Sequence, residues 1–166
     1  MDNKIITIPE VSKTNVDKKE RIVLKKEKWE FDEEYFLSEK QLDILINKNN
    51  DIIYNKMMQE IQKKINGYKQ QDKDKKKINN ELFVDIDYIV DLLKQCEIKC
   101  FYCKCNTTIL YKKVREPKQW SLERIDNDYG HNKDNVAIAC LECNLRRKTM
   151  YHERYLFTKQ LNIIKK

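Results

Sequence analysis

Apolar residues recur at helical spacing through the first half of the chain. Leu42, Leu45, Ile53, Met57, Ile61 and Ile65 lie three, four or eight positions apart, which gives one apolar stripe. Ser38 and Gln41 have the spacing of a capping box and mark its start. The polar run Asn47-Lys48-Asn49-Asn50 weakens the middle, so two helices can replace one, and Gly67 is a natural stop. Residues 68–80 hold five lysines against two aspartates and show no apolar period apart from Ile78. They read as a basic linker or solvated face, with phosphate contact as the sharper alternative. Asp85 then caps a short helix carrying Ile86, Ile89, Val90 and Leu93.

Further on the period changes. Residues 111–114 and 120–125 read as short strands around a turn at Glu116-Pro117, and residues 135–139 as another, with Val136 and Ile138 alternating. Gly130, one of two glycines in the protein, suits a left-handed turn position in the loop 126–131. Residues 144–159 read as a helix carrying Leu145, Tyr151, Tyr155 and Phe157. Residues 1–37 carry eight basic and nine acidic side chains and little period, so they read as an extended tail. Trp29, Phe31, Tyr35 and Phe36 are its docking residues. The expectation is an α+β chain: tail 1–37, helical segment 38–67, basic linker 68–82 and a small domain 83–166.

Composition adds two constraints. With 40% hydrophobic and 37% charged residues among 166, the core is small, and small cores often need a staple. The net charge of +7 and pI of about 9.0 fit a polyanionic partner such as nucleic acid, although a lysine-heavy soluble surface gives the same numbers. From 142 to 166 there are seven basic and two acidic residues.

Six cysteines would suit a secreted disulfide protein, but Met1-Asp2-Asn3-Lys4 leads into no apolar signal segment, and no apolar run approaches membrane-spanning length. The expectation is an intracellular, reducing setting without a membrane. The Lys, Asn and Ile bias fits an AT-rich genome, a viral one included. In that setting Cys100-Phe-Tyr-Cys103 and Cys140-Leu-Glu-Cys143 read as metal knuckles. A two-residue gap lets both sulfurs turn to one point, and two knuckles supply four tetrahedral thiolates for a structural zinc. A zinc site of four sulfurs has no vacancy for substrate, and the chain stays basic with it bound. Cys96 and Cys105 are left over as small, buried or half-exposed thiols, Cys105 close enough to compete for the metal.

The run Trp120-Ser-Leu-Glu-Arg-Ile-Asp-Asn127, then Gly130-His-Asn-Lys-Asp-Asn135-Val-Ala-Ile-Ala-Cys140-Leu-Glu-Cys143-Asn144, with Cys100–Cys103 upstream, resembles the HNH endonuclease family. It is similar in particular to the zinc-bearing branch of phages and large DNA viruses, over about residues 83–160. The resemblance implies a ββα-metal fold and a metal-dependent DNA endonuclease. Beyond zinc it implies a catalytic Mg²⁺ or Mn²⁺ that binds the scissile phosphate while a histidine activates water. Glu123 falls on an acidic metal ligand, Asn135 on the middle Asn that braces the loop, and Asn144 on the last metal-proximal position. The base position holds Arg124, whose guanidinium cannot serve as a base. Arg124 then grips phosphate, with Asp126 as base or ligand, or His131 supplies the base from the loop.

Blander readings stand beside these. Glu123 and Arg124 make an exposed pair, Asp126 and Asn127 an Asx turn, Asn135 a strand-entry residue, and His131 and His152 surface positions. Arg146, Arg147 and Lys148 open the last helix, where duplex phosphates would pass. Two alternatives to an enzyme remain open: a non-catalytic zinc-stapled nucleic-acid-binding module, and a structural or interaction protein of a viral particle whose N-terminal helix binds a protein partner.

Overall fold

The computed structural model describes residues 5–8 and 31–165. In chain order its elements are β1 (Ile5–Ile8), one 3₁₀ turn (Glu33–Phe36), α1 (Ser38–Asn47), α2 (Asp51–Asp74), α3 (Ile86–Gln95), β2 (Trp120–Arg124), β3 (Val136–Cys140), α4 (Leu141–Arg147), α5 (His152–Gln160) and β4 (Asn162–Lys165). The architecture is mixed α+β. β1 runs parallel to β4, with Ile5 opposite Asn162. β2 and β3 form an antiparallel hairpin, with Trp120 opposite Cys140 and Arg124 opposite Val136. The expected tail therefore holds one strand at its start. Phe31, Tyr35 and Phe36 pack against the core as expected, and Trp29 lies outside the described residues.

The apolar stripe forms the main core. Leu45, Ile53, Met57, Ile61 and Ile65 are buried, and Leu42 is partly so. The polar break divides it into two helices: Lys48 ends α1 at φ 52°, and the Asn50 side chain caps α2 by accepting from Ile53 N at 3.1 Å. Asp85 caps α3 as expected, accepting from Tyr88 N at 2.8 Å.

Five local expectations are corrected. Gln41 does not cap α1; it is buried, where Nε2 donates to the carbonyls of Tyr35 and Leu110, and Oε1 accepts from Ile109 N and Leu110 N. Residues 111–114, which follow directly, are not a strand. Gly67 does not stop α2, which runs on to Asp74 through most of the first half of the expected linker. The helix expected over 144–159 starts earlier and breaks at Lys148 (φ 53°), a break that lets Tyr155 fold back, buried, onto the cysteines. Gly130 has no positive φ. Its lack of a Cβ serves a close approach: a Cβ there would lie 2.5 Å from the Lys77 carbonyl oxygen and 2.7 Å from Asp72 Oδ2.

Strand side chains alternate, so Trp120 and Leu122 share one face with Val136 and Ile138. Trp120, Leu122, Val136 and Ile138 face the helices α1–α3 in the main core. Cys140 and Ala139 belong to a second, smaller core with Cys100, Tyr102, Cys143 and Tyr155. Among the described residues no helix is long and apolar enough to cross a membrane.

Candidate functional site

The two knuckles meet. The sulfurs of Cys100, Cys103, Cys140 and Cys143 all lie within 4.8 Å of one another, and those of Cys103 and Cys140 are 3.8 Å apart. A tetrahedral zinc with Zn–S bonds of about 2.3 Å places its sulfurs roughly 3.8 Å apart, so the cluster fits a zinc ion. Three of the four cysteines are buried and Cys103 is exposed. The knuckles are held by bonds that backbone N–H groups donate: Lys104 N to Cys100 O at 3.0 Å, Phe101 N to Ile138 O at 2.8 Å, and Cys143 N to the Cys140 sulfur at 3.4 Å. The sulfurs compete for protons. A hydrogen bond from Cys140 holds the Cys100 thiol down to about 4, while that same bond and burial push Cys140 up. Such a cluster cannot ionise fully without a cation, which is the donor chemistry of a metal site. Burial raises the leftover thiols Cys96 and, to about 12, Cys105.

Beside the hairpin lies a cleft of about 870 Å³ whose walls include Glu123, Arg124, Asp126, His131 and Asn144. Five of the six residues expected to be catalytic therefore share one space. Asn135, the sixth, sits behind the loop and braces it. Its Oδ1 accepts from Asp126 N at 2.9 Å, and its Nδ2 donates to the carbonyls of Asp126 and Gly130 at 3.0 Å each.

Asp126 is exposed and forms the Asx turn, accepting from Asp128 N at 2.8 Å. Arg124 is half-buried and donates to the Tyr129 carbonyl at 3.1 Å. Asn144 donates through Nδ2 to Ser121 Oγ at 3.2 Å and to Leu122 O at 3.3 Å, and among the described residues its Oδ1 accepts no hydrogen bond.

His131 is not a surface residue: it is 2% exposed. Its Nδ1 is 2.9 Å from Asp72 Oδ1, and its backbone N donates to Asp72 Oδ2 at 2.6 Å. Tyr68 lies over the ring at a centroid distance of 4.6 Å. Burial lowers the His131 pKa, partly offset by Asp72.

Arg147 and Glu123 depart furthest from expectation. Arg147 is 1% exposed, ion-paired with Glu123 Oε1, and donates to the carbonyls of Arg124 at 2.6 Å and Ile125 at 2.7 Å. It is a structural residue and not a surface phosphate contact. Arg146 and Lys148 are exposed as expected, Arg146 paired with Glu142 at 2.7 Å. Glu123 is likewise no exposed partner of Arg124. Burial raises its pKa against the pull of Arg147, and among the described residues its buried Oε2 has no hydrogen-bond partner.

Asp72 and Tyr68 were missed because they fall in the expected linker, yet they continue the stripe: Ile61, Ile65, Tyr68 and Asp72 follow at spacings of four, three and four. An acid on an apolar stripe is a signal of a buried partner. His152, at the start of α5, also lines the cleft, half-buried, with Nδ1 3.1 Å from the Tyr102 hydroxyl. Comparison of the chain with protein-family models, with curated proteins and with solved structures finds no match.

Proposed function

We propose that this chain is a zinc-stapled nuclease of the HNH (ββα-metal) type that hydrolyses phosphodiester bonds, most readily in DNA. The reading rests on one observation. His131, bonded through Nδ1 to a buried carboxylate, lines the same cleft as Arg124, Glu123 and Asn144, beside a β-hairpin that runs into a helix. The missing base at position 124 is then supplied by the loop.

Each residue has a defined task. His131, neutral at pH 7 because burial lowers its pKa, takes a proton from the attacking water through Nε2. Arg124 binds the phosphate with a charge that does not titrate. The buried Oε2 of Glu123 and the Oδ1 of Asn144 are hard oxygen donors of the kind Mg²⁺ or Mn²⁺ takes, and they would hold the cation. Such a cation would offset the charge gained by the phosphate in the transition state. The four-cysteine cluster would hold zinc as a staple, with no open position for chemistry.

The test is nicking of a supercoiled plasmid by zinc-loaded protein with Mg²⁺ or Mn²⁺. His131→Ala should slow cleavage about 100-fold or more, the scale of a lost general base. Absence of cleavage by the wild type across both metals and pH 6–9 would sink the nuclease reading. The binding-module reading would then stand, and two observations favour it: Glu123 is tied to a buried arginine, and His131 is almost sealed. In that case DNA affinity should fall steeply with salt, less so in Arg146→Ala/Lys148→Ala.

A further inference from the structure

We infer that Asp72, on the last turn of α2, is the positioning residue of the site: it fixes the tautomer of His131, which makes the helix upstream of the hairpin a working part of the cleft. The inference rests on the reading of His131 as the base.

Asp72 is fully buried, and a buried carboxylate must be matched by donors. Both of its oxygens are used by one residue. Oδ2 accepts the backbone N–H of His131 at 2.6 Å, and Oδ1 accepts from Nδ1 at 2.9 Å. A carboxylate only accepts, so the ring proton sits on Nδ1 and Nε2 keeps its lone pair. One aromatic contact holds the ring. Tyr68 covers it at 33° to its plane, and the Tyr68 hydroxyl is itself pinned, accepting from Leu122 N at 2.9 Å. The preceding residue is fitted to the same contact, since a side chain at Gly130 would strike Asp72 Oδ2.

The charged and titratable groups around the ring are Asp72, Tyr68 and Lys75 from α2 and Arg124 from β2. Burial, Arg124 and Lys75 disfavour the imidazolium, and Asp72 favours it. Asp72 therefore keeps the base strong enough to accept a proton in a setting that otherwise weakens it. A buried pair with only a structural role would owe the cleft neither a tautomer nor a pH limb.

Asp72→Asn in the full chain separates the two roles. The backbone N–H of His131 can only donate, so the amide oxygen must stay opposite it and the amide NH₂ must face Nδ1. Nδ1 then accepts, the proton moves to Nε2, and the base loses its lone pair. Nitrogen-15 NMR of the imidazole should show Nδ1–H in the wild type and Nε2–H in the variant. Where the wild type cleaves, Asp72→Asn should lose 100-fold or more of the rate. Its residual acid limb should move to lower pH, with KM little changed.

The wild-type tautomer is readable without activity and without the variant, so a wild type that cuts nothing tells against the nuclease and not against Asp72. An Nε2–H tautomer in the wild type would overturn the inference. So would a folded Asp72→Asn that keeps Nδ1–H, or that cleaves at the wild-type rate.

Discussion

Arg147 sits between two solvated cations in sequence, Arg146 and Lys148, and nothing in the composition of that triplet separates it from them. Its position does. Cys143 must turn inward to reach the other sulfurs, and a residue four places later on a helix shares its face. Arg147 is therefore carried inward, where it meets Glu123, two residues along β2 from Ser121 and on the same face of the strand. Helix register thus made the burial of Arg147 readable, while residue type concealed it. Removing one partner of such a pair leaves an uncompensated buried charge. Arg147→Ala should cost about 3–5 kcal/mol in urea unfolding. Arg147→Met with Glu123→Gln should recover much of that loss, since no net charge is then left inside. Equal destabilisation in the single and double variants would show that packing, and not charge, is what the arginine supplies.

Between elements, the two glycines reverse their expected parts. Gly67 was the natural helix stop, yet it lies in the middle of α2 with nothing within 4 Å of where a Cβ would be. Gly67→Ala should stabilise the protein by about 0.5–1 kcal/mol, the usual difference in helix propensity. Gly130 was expected at a turn for its freedom of φ, but it is needed for space. Gly130→Ala would drive a methyl into backbone and a buried carboxylate, so a loss of about 1–3 kcal/mol is expected, the scale of overpacking. The measurement for both is the shift in urea midpoint, and a neutral Gly130→Ala would mean that α2 and the loop can move apart. The error over α2 had a physical source. Five lysines along residues 68–80 outweigh a stripe that has only Tyr68 and Asp72 left to show. Strands 120–124 and 136–140 were legible because both their faces are buried and their apolar alternation is strong. Residues 111–114 do not form the expected strand, and the backbone groups just before them, at Leu110, bond to a glutamine 69 positions away.

For the whole molecule, the four cysteines were the most legible feature, since ligand type and spacing alone bring them together. The unequal size of the two cores was not. The larger joins α1–α3 to one face of the hairpin through more than a dozen buried aliphatic and aromatic side chains, and the smaller gathers little beyond the cysteines, Tyr102, Ala139 and Tyr155. A core that small gains little stability from area alone, because burial stabilises by only about 25 cal/mol per Å². A zinc ion held by the four cysteines would contribute its binding energy to folding at that end of the molecule. One zinc per chain is expected by metal analysis, and chelation or Cys140→Ser should expose the amides of α4, α5 and residues 100–105 to hydrogen exchange. The amides of α2 and α3 should stay protected for longer, since their core does not include the knuckles. Zinc binding should also release protons, because the cluster cannot carry four thiolates alone, and affinity should weaken as pH falls. Metal-free protein with unchanged exchange at α4 and α5 would remove zinc as the staple. Simultaneous loss of protection in α2 would instead make the two cores one cooperative unit, with the hairpin transmitting the loss from the cysteines to the helices.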